Sequence, residues 1–274
     1  MAASSTLQTG APAHPFDAVA AGYDAAFTDR RLGRWLRAIV WAQLARAFRP
    51  GDRLLELGCG TGEDAVWLAR RGMKIDATDA SPAMLAETRR KAAAAGVDES
   101  VTTRVLDLTA PLGSLGAPDG ERYDGAYSNF GPLNCVEDRR ALAGELARLV
   151  RPGGKLVLVV MGPLCPWEVA WHLARLRPRG AIRRFRSGKP AHVGDDVLPV
   201  WYPSPHRLAR EFAPHFEVRE HIGVGLLLPH SEMSELVDRA PGLFAGLARI
   251  DRRFAGALPW RWLNDHYLMV LERR

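Results

Sequence analysis

The stretch that most constrains this chain is Leu54-Leu55-Glu56-Leu57-Gly58-Cys59-Gly60-Thr61-Gly62, an apolar run that meets three alternating glycines and then a helical pattern. A buried strand that turns abruptly into a helix needs residues without a Cβ at the turn, and the helix beyond aims unpaired backbone N–H groups back at it. Such a turn suits a nucleotide-like ligand, although paired glycines also occur in ordinary tight turns.

The pattern repeats downstream. Strands are expected at Arg53–Leu57, Lys74–Thr78, Thr102–Leu106, Tyr123–Ser128 and Lys155–Met161. Between them, helices are expected at Glu63–Arg71, at Pro82–Ala95 and from about Asp138 to Val150. Ser81 followed by Pro82 reads as an N-cap with proline at the first helical position, and Gly72 and Gly96 stand where helices stop. Arg151-Pro152-Gly153-Gly154 is expected to turn the chain into the fifth strand. Alternation of this kind gives an α/β fold, a doubly wound and mostly parallel sheet covered by helices. Phe16–Phe27 and Leu32–Phe48 read as helices ahead of the sheet. After Met161 seven prolines break a stretch in which only Trp167–Leu176 looks helical, which marks an insert. Phe216–Val224 and Tyr267–Leu271 read as late strands, with helical material at Ser231–Ile250.

Composition narrows the class further. With 47% hydrophobic and 25% charged residues the chain is an ordinary folded protein. No apolar run is long enough to span a membrane, and Met1–Pro15 reads as a disordered leader, so the reading is cytoplasmic with no membrane partner. Cys59, Cys135 and Cys165 are too far apart for a metal knuckle, and neither metal nor disulfide is expected. The net charge is +6, with arginines concentrated between Arg175 and Arg186. Only Phe185 is interleaved there as an aromatic, so a nucleic-acid partner is disfavoured.

Asp79 ends the second strand roughly 20 residues beyond the glycines, where a carboxylate can accept from both hydroxyls of a ribose. NAD sites share that acidic position. Against NAD stand the GxGxG spacing, Glu56 two residues before the first glycine, and the Arg-Pro-Gly-Gly segment before the fifth strand.

Over roughly Phe16–Met161 the sequence resembles the class I S-adenosylmethionine (SAM)-dependent methyltransferases. Leu55–Gly62 looks like that family's first motif, and Asp79-Ala80-Ser81-Pro82-Ala83-Met84-Leu85 like its second-strand motif. The resemblance implies a seven-stranded Rossmann-like sheet whose last two strands form a reversed hairpin. It implies a SAM site, with S-adenosylhomocysteine as product, built from Glu56, Gly58, Cys59, Gly60, Asp79, Ala80 and Met84. Asp107 with Leu108 would meet the adenine, Asn129 and Phe130 the methionine portion, and Tyr23 would reach the cofactor from a closing N-terminal helix. The organisation expected is then a leader (1–15), cap helices (16–50), a SAM-binding core (51–161), a substrate-binding insert (162–215) and C-terminal strands and helices completing the sheet (216–274).

Methyl transfer from a sulfonium needs an aligned nucleophile and a dry site more than it needs a catalytic triad. For an alcohol or phenol a histidine base helps, and His192 and His206 in the insert are the candidates. Trp201 and Tyr202 could line an acceptor pocket, and Asn134 could touch the acceptor. The loop Ser128–Asn134 lacks the Asn-Pro-Pro-Tyr type motif of enzymes that methylate bases or glutamine. The expectation is transfer to oxygen or nitrogen of a small metabolite, in secondary metabolism. RNA or protein methylation, and SAM binding without methyl transfer, are the alternatives.

Overall fold

The structure is a computed structural model and describes residues 14–113, 115, 121–185, 188–194, 196–230 and 233–274. In chain order the elements are α1 (Arg31–Ala47), β1 (Arg53–Leu57), α2 (Glu63–Ala69), β2 (Lys74–Asp79), α3 (Pro82–Ala94), β3 (Val101–Val105), β4 (Tyr123–Ser128) and α4 (Arg139–Leu149). Next come β5 (Val150–Met161), α5 (Pro166–Ala174), α6 (Pro178–Ala181), β6 (Lys189–Val193), β7 (Asp196–Val200) and α7 (Pro205–Phe212). The chain closes with β8 (Phe216–Val224), α8 (Ser234–Arg239), α9 (Pro241–Phe254) and β9 (His266–Arg273).

Seven strands form one sheet in the order β3-β2-β1-β4-β5-β9-β8. The first five are parallel, and β9 runs antiparallel to both β5 and β8. Both faces are covered, as a parallel sheet requires. Along β5 the side chains alternate: Val157 and Val159 join the layer with α1, α2 and α3, while Leu156, Leu158 and Val160 join the layer with α4 and α7. The strand order reverses between β1 and β4, so the carboxyl ends of these strands open a crevice where α/β sheets bind ligands.

Three expectations change. Phe16–Phe27 is no single helix: a 3-10 turn (Ala20–Gly22) leads into a π-helix (Asp24–Thr28). Tertiary bonds from Asp17 to Ser81 and Ala83, and between Asp24 and Thr61, compete with helical continuity there. Arg151–Gly154 is no turn before a strand but a bulge inside β5, because Val150 already pairs with Tyr123 before Lys155 pairs with Gly125. The helical material expected at Ser231–Ile250 is present as α8 and α9, with Pro241 starting α9, and residues 231 and 232 lie outside the described residues. The insert holds far more structure than one helix. Pro190 and Pro199 sit opposite each other in the two-stranded ribbon β6–β7, where every strand is an edge and a missing N–H is tolerated. Among the described residues no helix is long and apolar enough to cross a membrane.

Candidate active site

The glycine turn after β1 is held open by its backbone. Gly58, Gly60 and Gly62 all adopt positive φ (71°, 54° and 75°), and a Cβ at Gly60 would point into open space, leaving room for a ligand. Gly60 N–H donates to Asp79 Oδ2 at 2.9 Å and Ser81 N–H donates to Asp79 Oδ1 at 2.9 Å, so the ends of β1 and β2 are tied through one carboxylate. Burial pushes the Asp79 carboxyl above the usual range, and the two N–H groups oppose that rise. Ser81 caps α3 by accepting from Met84 N–H at 3.1 Å.

Over this turn lies the N-terminal segment. Ser81 Oγ donates to Asp17 Oδ1 at 2.5 Å, Thr61 Oγ1 donates to Asp24 Oδ1 at 2.6 Å, and Lys91 pairs with Asp24 at 2.8 Å. These bonds bring Tyr23 to the crevice.

Beyond β4 the backbone is strained. Phe130 has φ 57°, rare for a residue with a Cβ, and Gly131 follows with φ 126°. The Phe130 ring packs edge-on against Phe27 and His266, and the Arg37 guanidinium lies 5.3 Å from its centroid. Arg37 itself pairs with buried Asp64 at 2.6 Å, which also accepts from Trp41 Nε1 at 2.7 Å and Asn129 Nδ2 at 3.0 Å. Arg37 Nε and Asn129 Oδ1 are buried without a hydrogen-bond partner. Glu56 is buried below, its Oε2 likewise unpartnered, and burial together with the Asp64 charge holds its carboxyl well above the usual range.

These groups surround a cavity of about 450 Å³. Of the residues the sequence singled out, Tyr23, Gly58, Cys59, Gly60, Asp79, Ala80, Met84, Asp107, Leu108, Asn129 and Phe130 line it. Glu56 lies beneath the lining. The insert contributes an apolar wall through Ala191, Val193, Leu198, Pro199 and Val200, facing Met161, Pro132 and Cys135. Burial pushes the Cys135 thiol up to about 11, so it is protonated at neutral pH.

The acceptor-side residues singled out from sequence are not brought to the cavity. His192 lies between Ala191 and Val193 on β6, and strand alternation turns it outward, where it is exposed. His206 is exposed on the first turn of α7. Asn134 is fully buried and spent on backbone: Nδ2 donates to Met161 O and Trp201 O, and Oδ1 accepts from Met161 N–H. It thereby fastens β5 to the insert. Trp201 and Tyr202 are half-buried behind the wall, Tyr202 near the Arg184 guanidinium at 5.1 Å.

Sequence reading missed Arg37, Asp64, Thr61 and His14, all of which line the cavity. Arg37 carried a usable signal, a charge on the helical face that also bears Leu36, Val40 and Leu44.

Residues 54–154 match the model of a family described as a methyltransferase domain. A demethylmenaquinone methyltransferase of Corynebacterium glutamicum is 31% identical over 72% of this chain and 80% of its own length. An S-adenosyl-L-methionine-dependent Diels-Alderase of Talaromyces variabilis is 31% identical over 77% of this chain and 69% of its own. The crystal structure of an S-adenosylmethionine dependent methyltransferase from Mesorhizobium loti shares the fold, with a TM-score of 0.53 and 19% identity over 86% of this chain and 98% of that one. The chain spans 55–61% of the length of the first curated relatives it matches. The chain belongs to the class I SAM-dependent methyltransferases, and SAM is its cofactor.

Proposed function

We propose that this chain transfers a methyl group to oxygen or nitrogen of a small, largely apolar organic acceptor held against the β6–β7 ribbon. The observation that carries this reading is one continuous cavity with two unlike ends: glycine turn and strand-end carboxylates at one, aliphatic ribbon at the other. Residues 189–200 of the insert would set acceptor choice.

The polar end suits the cofactor. Asp79 keeps lone pairs for a ribose diol beside its two backbone donors, and Asp107 stands at the end of β3 for the adenine. Arg37 Nε is an unpartnered donor and Asn129 Oδ1 an unpartnered acceptor, a pair that would hold the carboxylate and the ammonium of the methionine portion. SAM supplies an activated methyl on a sulfonium. The protein's own part is to align the acceptor and exclude water: Phe130, Phe27 and Tyr23 close the crevice from one side and Val193, Leu198 and Val200 from the other. The ribbon wall carries no base among its described lining residues, the one histidine of the lining, His14, stands in the N-terminal segment close enough to act on Asp79, and the Cys135 thiol is a poor base. The acceptor therefore arrives as its own nucleophile, an acidic phenol or quinol or an unprotonated amine.

The test is release of S-adenosylhomocysteine on addition of candidate acceptors, beginning with short apolar phenols and amines; turnover of demethylmenaquinone, the compound that names the bacterial relatives, would place the methyl on a ring carbon and contradict transfer to oxygen or nitrogen. Turnover restricted to polar acceptors, or to RNA, would contradict the apolar assignment. A second reading is supported by the Diels-Alderase relative and the wall's lack of a base: SAM bound as a structural cofactor for a ring-forming reaction. Ring closure of a polyene without S-adenosylhomocysteine release separates it from methyl transfer.

A further inference from the structure

The arginine-rich segment plays no part in the cavity, yet it is folded. α6 seats on α5 so closely that a Cβ at Gly180 would collide with the His172 ring. The unit is anchored from below: buried Glu168 accepts from Arg183 and Arg184, and Arg184 reaches Asp265 at 2.7 Å at the start of β9.

What this unit shows to water is unusual. Leu176 is 89% exposed, Phe185 60% and Ile182 49%, all within ten residues. Leu176 also occupies the left-handed position that ends α5, with φ 55°. Arg177 N–H donates to His172 O and Leu176 N–H to Leu173 O, the closing bonds of a helix end that normally carries glycine. A leucine is thus held out in solvent at a position where glycine would be less strained. Around it stand Arg175, stacked at 3.1 Å over Trp171, with Arg177 and Arg179, none of which has an ion-pair partner among the described residues.

We propose that the α5–α6 surface docks on anionic phospholipid membrane, with Leu176, Ile182 and Phe185 entering the interface and Arg175, Arg177 and Arg179 pairing with lipid phosphates. Interfacial contacts of this type combine exposed apolar side chains with arginines on the adjoining surface, and a bilayer accepts aliphatic side chains that a nucleic acid does not. Nucleic acid is disfavoured because only Trp171 and Phe185 could stack bases, and arginine already covers the Trp171 ring. β6 begins at Lys189, close in sequence to Phe185, and Arg184 lies 5.1 Å from the Tyr202 ring just past β7, so docking would bring the ribbon toward the lipid phase.

The experiment is co-sedimentation of the full chain with phosphatidylcholine vesicles, with and without phosphatidylglycerol, at low and high salt. Binding is expected only with the anionic lipid and is expected to weaken with salt. Replacing Arg175, Arg177 and Arg179 by glutamine is expected to lower binding about a hundredfold, at about fivefold per arginine. Leu176→Ser with Ile182→Ser and Phe185→Ser is expected to lower it at least about tenfold with circular dichroism unchanged. These residues are outside the cavity, so vesicle binding is read without reference to turnover. No binding to either vesicle, binding indifferent to both sets of substitutions, or binding of an RNA duplex that the apolar substitutions leave intact would each overturn the proposal.

Discussion

Arg37 Nη1 on α1 and Asp64 Oδ2 on α2 are 2.6 Å apart, both nearly closed to water, and the pair forms the floor of the cavity. Asp64 has two further donors, Trp41 and Asn129, and Arg37 lies between the Phe27 and Phe130 rings. One ion pair therefore couples the N-terminal helix, the glycine-turn helix and the strained loop after β4.

Removing one member of a buried pair leaves the other charged and uncompensated. Arg37→Leu is expected to cost about 3–5 kcal/mol of unfolding free energy. Urea denaturation is the check, and a loss below about 1 kcal/mol would show that Trp41 and Asn129 alone satisfy Asp64.

Asp79 is the strand-end carboxylate that, on the proposed reading, would accept from the ribose. Asp79→Ala is expected to weaken S-adenosylhomocysteine binding by about 1.5–3 kcal/mol, the range for hydrogen bonds to a charged group. Calorimetry showing an unchanged dissociation constant would reduce Asp79 to a tie between Gly60 and Ser81.

The wall and the outward histidines separate cleanly. Leu198→Trp fills the apolar end and is expected to abolish acceptor turnover while S-adenosylhomocysteine affinity stays within about threefold, a change below ~0.7 kcal/mol. His192→Ala and His206→Ala, both exposed, are expected to leave turnover within about twofold. Turnover lost with His192→Ala would move the acceptor to the outer face of the ribbon, and turnover lost with His206→Ala would move it to the first turn of α7.

His221 gives the pH dependence. Burial, with the Arg261 charge second, pulls its pKa from 6.5 down to about 4, and its ring lies edge-on to Trp262 and Tyr267. Above pH 6.5 the ring is neutral in both folded and unfolded chains, so this contribution to stability is fully present. As pH falls from 6.5 to about 4 the unfolded chain takes up a proton that the folded one refuses, and stability drops. His221→Asn is expected to flatten that part of the stability profile. An unchanged slope between those limits would mean that other groups carry it.

The cofactor end was legible because its signals are local: glycines needing positive φ, the Ser81-Pro82 cap, an acidic residue at a strand end. The acceptor end was not, for two physical reasons. Pro190 and Pro199 argue against strand in any central position and are harmless only because β6 and β7 are both edges. Strand alternation then decides which residues face the cavity, and it favours Ala191 and Val193 over the chemically conspicuous His192. Ser204-Pro205 carried the same capping signal as Ser81-Pro82 and does start α7, with Ser204 accepting from Arg207 N–H. Arg37 showed itself in sequence as a charge on the apolar face of α1, but its partner did not, since Asp64 stands on a different helix.

The most direct test of methyl transfer at this cavity is mass spectrometry of a metabolite extract incubated with the protein and methyl-deuterated SAM. The expected result is an apolar small molecule gaining one labelled methyl, in step with S-adenosylhomocysteine release, and losing that gain with Leu198→Trp. Tight S-adenosylhomocysteine binding with no labelled product from any extract fraction would contradict methyl transfer.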